Sequence, residues 1–115
     1  MEQSDVIAAL AALAQDNRLD VYRLLVQAGP QGMPAGNVAR ALKLAPNTLT
    51  FHFDRLRQAG LVNVRREGRS MIYAAQYDAM NSLIAYLTEN CCGGASCTPA
   101  IACKPAPARR RKVIA

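Results

Sequence analysis

The sequence predicts a mainly α-helical domain carrying a single β-hairpin, an α+β fold, and three observations predict it. Apolar residues recur every three to four positions through most of residues 4–58, the mark of helices that bury one face. Directly after Gly60 the period drops to two, which is the period of strands. Proline and glycine fall where such elements start and stop, at Gly29-Pro30, Pro46 and Gly60. With 115 residues, 51% of them apolar and 19% charged, the chain has material for one globular core and gains from self-association.

Each element has its own justification. Val6, Ile7, Leu10 and Leu13 stand at helical spacing, with Ser4 or Asp5 placed to cap the first helix. A second helix starts near Asp16, runs through Leu19, Val21, Tyr22, Leu24, Leu25 and Val26, and stops at Gly29-Pro30. Gln31-Gly32-Met33 reads as a loop, and Pro34 fits the first turn of a third helix that continues through Val38, Ala39, Ala41 and Leu42. Pro46 opens a fourth helix ending at Gly60, with Leu49, Phe53 and Leu56 as its inward stripe. Helix, short turn, helix is the helix-turn-helix layout. The β-prone runs Leu61–Arg66 and Arg69–Ala74, joined at Glu67-Gly68, make a hairpin with a basic tip, a wing. A fifth helix, capped near Asp78, carries Met80, Leu83, Ile84 and Leu87 on one face. Residues 1–90 are therefore expected to form a winged helix-turn-helix domain. Residues 91–115, rich in Gly, Ala, Pro, Cys and Arg, are expected to form a largely mobile tail.

The net charge of +6 is unevenly placed. Residues 40–69 hold seven basic side chains against two acids, whereas residues 1–39 and 70–90 are both net acidic. A basic centre between acidic flanks points to a localised anionic partner, most simply the phosphates of double-stranded DNA. An α-helix fits the major groove, so the outward residues of the fourth helix are the natural readers. Asn47, Thr48 and Thr50 offer hydrogen bonds to bases or phosphates, and Phe51 suits a thymine methyl. Arg55 and Arg57 suit phosphate neutralisation, and His52 sits on the boundary of the outward face. Arg65, Arg66 and Arg69 place positive charge on the wing, where it suits backbone or minor-groove contact. The acidic Met1–Asp5 start lacks the basic end and apolar core of a leader, and no apolar run nears the roughly 20 residues of a membrane span. A cytoplasmic protein with no membrane partner is expected.

The run from Thr48 to Val62 (TLTFHFDRLRQAGLV), followed by Arg65-Arg66-Glu67-Gly68-Arg69, resembles the recognition helix and wing of the ArsR/SmtB family of dimeric winged-helix repressors. The likeness covers about residues 5–90. Phe51 departs from the family pattern, which more often has a polar residue there. The resemblance implies a homodimer formed through the first and last helices, with Val6, Ile7, Leu10, Leu13, Met80, Leu83, Ile84 and Leu87 at the interface. It also implies control by a metal or metalloid. The family site at the start of the third helix needs cysteines, and residues 33–38 have none. The family site along the last helix pairs His with Asp or Glu, and Asp78 and Glu89 have no His partner there.

What remains is Cys91, Cys92, Cys97 and Cys103, which resembles the arsenic site of ArsR-type repressors. Thiolates select soft, thiophilic centres, and trivalent arsenic or antimony takes three sulfurs in a pyramid. Cys91-Cys92 supplies two, Gly93-Gly94 lets the chain fold back, and Cys97 supplies the third, with Cys103 the least tied to the cluster. There is no CxxC pair, which weakens zinc as the ligand, although four thiols leave Zn, Cd or thiol oxidation open as alternative inputs. Enzyme chemistry is not expected: there is one His, no nucleophile–base pair at readable spacing and no Gly-rich phosphate loop.

Overall fold

The computed structural model describes residues 1–94. The elements run α1 (Gln3–Leu13), α2 (Asp16–Ala28), β1 (Met33–Pro34), α3 (Ala35–Leu42), α4 (Pro46–Gln58), β2 (Val62–Glu67), β3 (Ser70–Ala75) and α5 (Tyr77–Leu87), closing on a short 3-10 turn at Cys91–Gly94. The strands form one antiparallel sheet in the order β1-β3-β2. This is the winged helix-turn-helix fold that the sequence predicts: α3 and α4 are the helix pair, and β2 and β3 the wing.

Local chemistry explains the boundaries. The backbone N–H of Glu2 donates to the Asp5 carboxylate at 3.3 Å, so the cap of α1 is Glu2 and not the expected Ser4 or Asp5, and Asp5 supports it from within the first turn. Gln15 caps α2 by accepting from the Arg18 N–H at 2.9 Å, and Gly29, at φ 93°, ends it. Gln76, not Asp78, precedes α5, and Asp78 lies in its first turn, where a carboxylate favours the helix dipole. Lys43 takes the left-handed conformation after α3, and the Leu44 N–H closes on the Ala39 carbonyl at 3.0 Å. That tight closure sets α4 across α3.

One element was not anticipated. Met33 and Pro34 are not loop and helix start but a two-residue strand on β3, with Met33 opposite Tyr73 and Pro34 opposite Ile72. A strand this short leaves no period to read. Proline is tolerated because the pair is at a sheet edge. Gly32 makes the approach feasible: it holds φ 77°, and a Cβ there would lie 2.4 Å from the Tyr73 carbonyl oxygen.

The core joins all the layers. Leu49, Phe53 and Leu56 of α4 are fully buried with Val21 and Leu25 of α2 and Val38 of α3. Phe53 stacks on Tyr73 of β3 at 3.6 Å between ring centroids, which ties the recognition helix to the wing. The Tyr77 hydroxyl donates to the Val26 carbonyl at 2.7 Å and fixes α5 to α2. The expected face of α1 needs correction. Val6 is buried within its own chain together with Ala9 and Ala12, while Ile7 and Leu10 point outward. Alanines permit the close approach of α1, so its inward stripe is Val6, Ala9 and Ala12, with Ile7 and Leu10 left outside. Leu83 likewise belongs to this chain's core, and Leu13 packs against it.

Candidate nucleic-acid interface and thiol cluster

Helix α4 begins with Pro46 at its first position, where a missing N–H costs nothing. Three core residues pin its inner side, and the opposite side carries Asn47, Thr48, Thr50, Phe51, Arg55, Arg57 and Gln58, all exposed. The Thr50 hydroxyl donates to the Pro46 carbonyl at 3.0 Å, which leaves its lone pairs to accept from a base amino group. Arg57 pairs with Asp54 at 3.5 Å. Arg55 takes a different course: its guanidinium lies 5.0 Å from the centroid of the Phe51 ring, one turn earlier on the helix. Phe51 itself is 51% exposed, unusual for a phenylalanine on a small domain.

His52 is corrected. Expected on the boundary and counted among the DNA contacts, it is 5% exposed, and neither ring nitrogen has a hydrogen-bond partner. In helical angle it flanks the buried stripe on the Leu56 side, which turns it inward, where it cannot reach a groove. Burial, reinforced by the nearby Arg18 guanidinium, holds its pKa below the ordinary value.

The wing arginines divide by task. Arg65 donates through Nε to Glu67 at 2.7 Å and through Nη2 to the Gln31 carbonyl at 2.9 Å, bridging the wing to the loop before β1. Arg66 bends to the Gly68 carbonyl at 3.3 Å. Arg69 stands exposed in the two-residue turn with Gly68, which holds φ 61° as such hairpins require. Arg18 was missed by sequence reasoning. Its Nε donates to the Ala12 carbonyl at 2.7 Å, closing the end of α1. With Ala8, Ala11, Phe51, Arg55 and Gln58 it lines a groove of about 640 Å³ between α1 and α4. Nothing in the helical period of α2 marks that role.

The thiols lie at the other end of the molecule's logic. After α5 the chain turns tightly, with Asn90, Cys92 and Gly93 all at positive φ, and the Cys91 N–H donates to the Thr88 carbonyl at 3.0 Å. Cys91 and Cys92 are both exposed. Cys97, Cys103 and the basic run 109–112 lie outside the described residues. Among the described residues no group of three His, Cys, Asp or Glu side chains is placed to hold a metal ion. Nor is any described helix long and apolar enough to cross a membrane.

Fold and surface together define a winged helix-turn-helix protein with an exposed reading helix and a basic wing. The known proteins that it resembles are transcriptional regulators. Residues 13–65 match the family described as a helix-turn-helix domain. The HTH-type transcriptional regulator YgaV of Escherichia coli K12 is 29% identical over 85 residues, spanning 74% of this chain and 84% of that protein. A homodimeric winged helix-turn-helix DNA-binding domain from Mycobacterium bovis superposes with a TM-score of 0.61 at 26% identity, over 81% of its length and 76% of this chain. An ArsR-like transcriptional regulator from Rhodococcus sp. RHA1 shares the fold at TM-score 0.65 and 24% identity, over 73% of this chain and 76% of that one. The relatives that this chain resembles are transcriptional regulators.

Proposed function

We propose that this protein is a dimeric repressor that releases operator DNA when trivalent arsenic or antimony is captured by Cys91, Cys92 and Cys97, with Cys103 as an additional thiol. The observation that carries the reading is the position of Cys91 and Cys92. They are exposed at the end of α5, a helix whose outer face presents Ile84 and Leu87 to solvent. Ile7 and Leu10 of α1 are exposed as well. The homodimeric M. bovis relative supports pairing of two copies through such faces. The donor set suits the ligand: adjacent soft thiolates at one turn favour a thiophilic centre over hard cations.

Gathering three sulfurs around one ion reshapes the turn after α5 and alters how that helix meets its partner. The two reading helices then lose the spacing that one DNA turn demands. A coupling of about 1–3 kcal/mol suffices to weaken operator binding several-fold to a hundredfold. The test is fluorescence anisotropy of reduced protein on a labelled fragment from beside its own gene, at fixed salt. As(III), Sb(III), Zn(II) and Cd(II) are titrated in parallel. Release by As(III) or Sb(III), abolished by Cys91→Ser or Cys92→Ser, is expected. Release by Zn(II) or Cd(II) alone, or release that survives both substitutions, overturns the arsenic site and leaves the DNA-binding assignment intact.

A further inference from the structure

We propose that Phe51 and Arg55 form one reading unit that recognises a thymine beside a guanine in the major groove, with Arg55 reading the guanine and not a backbone phosphate. The proposal rests on the DNA-binding reading above and adds base identity to it.

The geometry supplies the argument. The Arg55 guanidinium lies over the Phe51 ring at 5.0 Å. The stack confines a long side chain that would otherwise lose much rotamer freedom on binding, so the planar fork is oriented before DNA arrives. Among the described residues the ion pairs are Asp54–Arg57 and Arg65–Glu67, so Asp54, the acid nearest in sequence, is engaged by Arg57. Arg55 thus keeps its charge and its paired N–H donors for a ligand.

A phosphate is served by a lysine point charge or by an arginine fork in many orientations. The O6 and N7 acceptors of guanine ask for two parallel donors in a plane, which the stacked fork provides. The exposed Phe51 ring has no hydrogen bond to offer, and the group it complements in the major groove is the thymine C5-methyl. One helical turn rises 5.4 Å and base pairs stack at about 3.4 Å. Because Arg55 leans back over the residue one turn before it, the two side chains converge on neighbouring base pairs.

The test alters single atoms. Wild-type protein first selects its sequence from a pool of randomised duplexes. The selected duplex is then remade with deoxyuridine for each thymine, removing the methyl, and with 7-deazaguanine for each guanine, removing N7. For the wild type, 7-deazaguanine at one position per half-site is expected to weaken binding about 10-fold, and uracil beside it by a smaller factor. Arg55→Ala should be indifferent to the deaza change and Phe51→Ala to the uracil change. Arg55→Lys should lose the guanine preference while keeping the salt dependence. Both residues are surface groups, and melting curves verify that the variants fold. If Arg55→Ala selects the same sequence, weakens evenly on all duplexes and shows a salt slope smaller by about one, Arg55 is a phosphate contact and the proposal fails while DNA binding stands. A wild-type protein that enriches no sequence overturns both.

Discussion

His52 and Phe51 are neighbours on one helix with inverted burial: the titratable ring is inside and the hydrocarbon ring outside. The rings meet edge to face at 5.9 Å between centroids. A buried imidazole with two unpartnered nitrogens is tolerable only while neutral, since burying the charged form without a partner is far costlier. Folding lowers its pKa, so the unfolded chain binds that proton more readily than the folded one. The stability His52 permits is complete above its ordinary value of about 6.5 and declines as pH falls below it, down to the depressed folded pKa. This is the chain's one histidine, so no other imidazole titrates in that window. Thermal melts between pH 7.5 and 5.5 should show Tm falling with pH in the wild type and much less in His52→Leu. A wild-type Tm that stays flat, or rises, on acidification overturns the account.

At the scale of elements, the wing is held to α4 by the Phe53–Tyr73 stack and to the loop before β1 by the Arg65 bridge to the Gln31 carbonyl. Arg65→Ala removes a charged donor to a backbone carbonyl at a partly exposed site, worth about 0.5–1 kcal/mol after solvent screening. Hydrogen exchange should accelerate in residues 31–34 and 62–70, with operator affinity falling because the wing wanders. Unchanged exchange, with a salt slope lower by about one, would instead make Arg65 a phosphate contact. The difference was invisible in the sequence, where Arg65, Arg66 and Arg69 are three equal charges. Period and punctuation were enough for α2, α4 and the hairpin, because Pro46, Gly60 and the alternation after it act locally. They failed for β1, whose two residues exist only because β3 passes beside them, and for α1, where Ala9 and Ala12 carry the packing. The outward face of α4 was legible from its inward stripe. The stack that orders Arg55 was not, since an i to i+4 spacing permits a contact without requiring one.

Across the whole molecule, large apolar side chains remain on the surface of α1 and α5: Ile7 and Leu87 are each 57% exposed, and Leu10 and Ile84 accompany them. These two helices come from the net acidic segments, while the basic residues 40–69 form the reading head and wing. The apolar faces of α1 and α5 therefore suit a second copy, and the basic face of α4 with the wing suits DNA. A two-fold pairing of the apolar faces would present two copies of α4 to successive turns of the duplex, so that each half-site would bind with the other already positioned. Ile7→Glu combined with Leu87→Glu places four carboxylates in that interface. Both sites are exposed in the single chain, so the monomer fold should survive. Sedimentation equilibrium should report a monomer, and affinity for the full operator should fall on the order of 100-fold, toward that of an isolated half-site. A wild type that sediments as a monomer, or a double variant that stays dimeric, would show that these residues are not the interface. The thiol turn at the end of α5 would then lack the lever by which ligand capture reaches DNA.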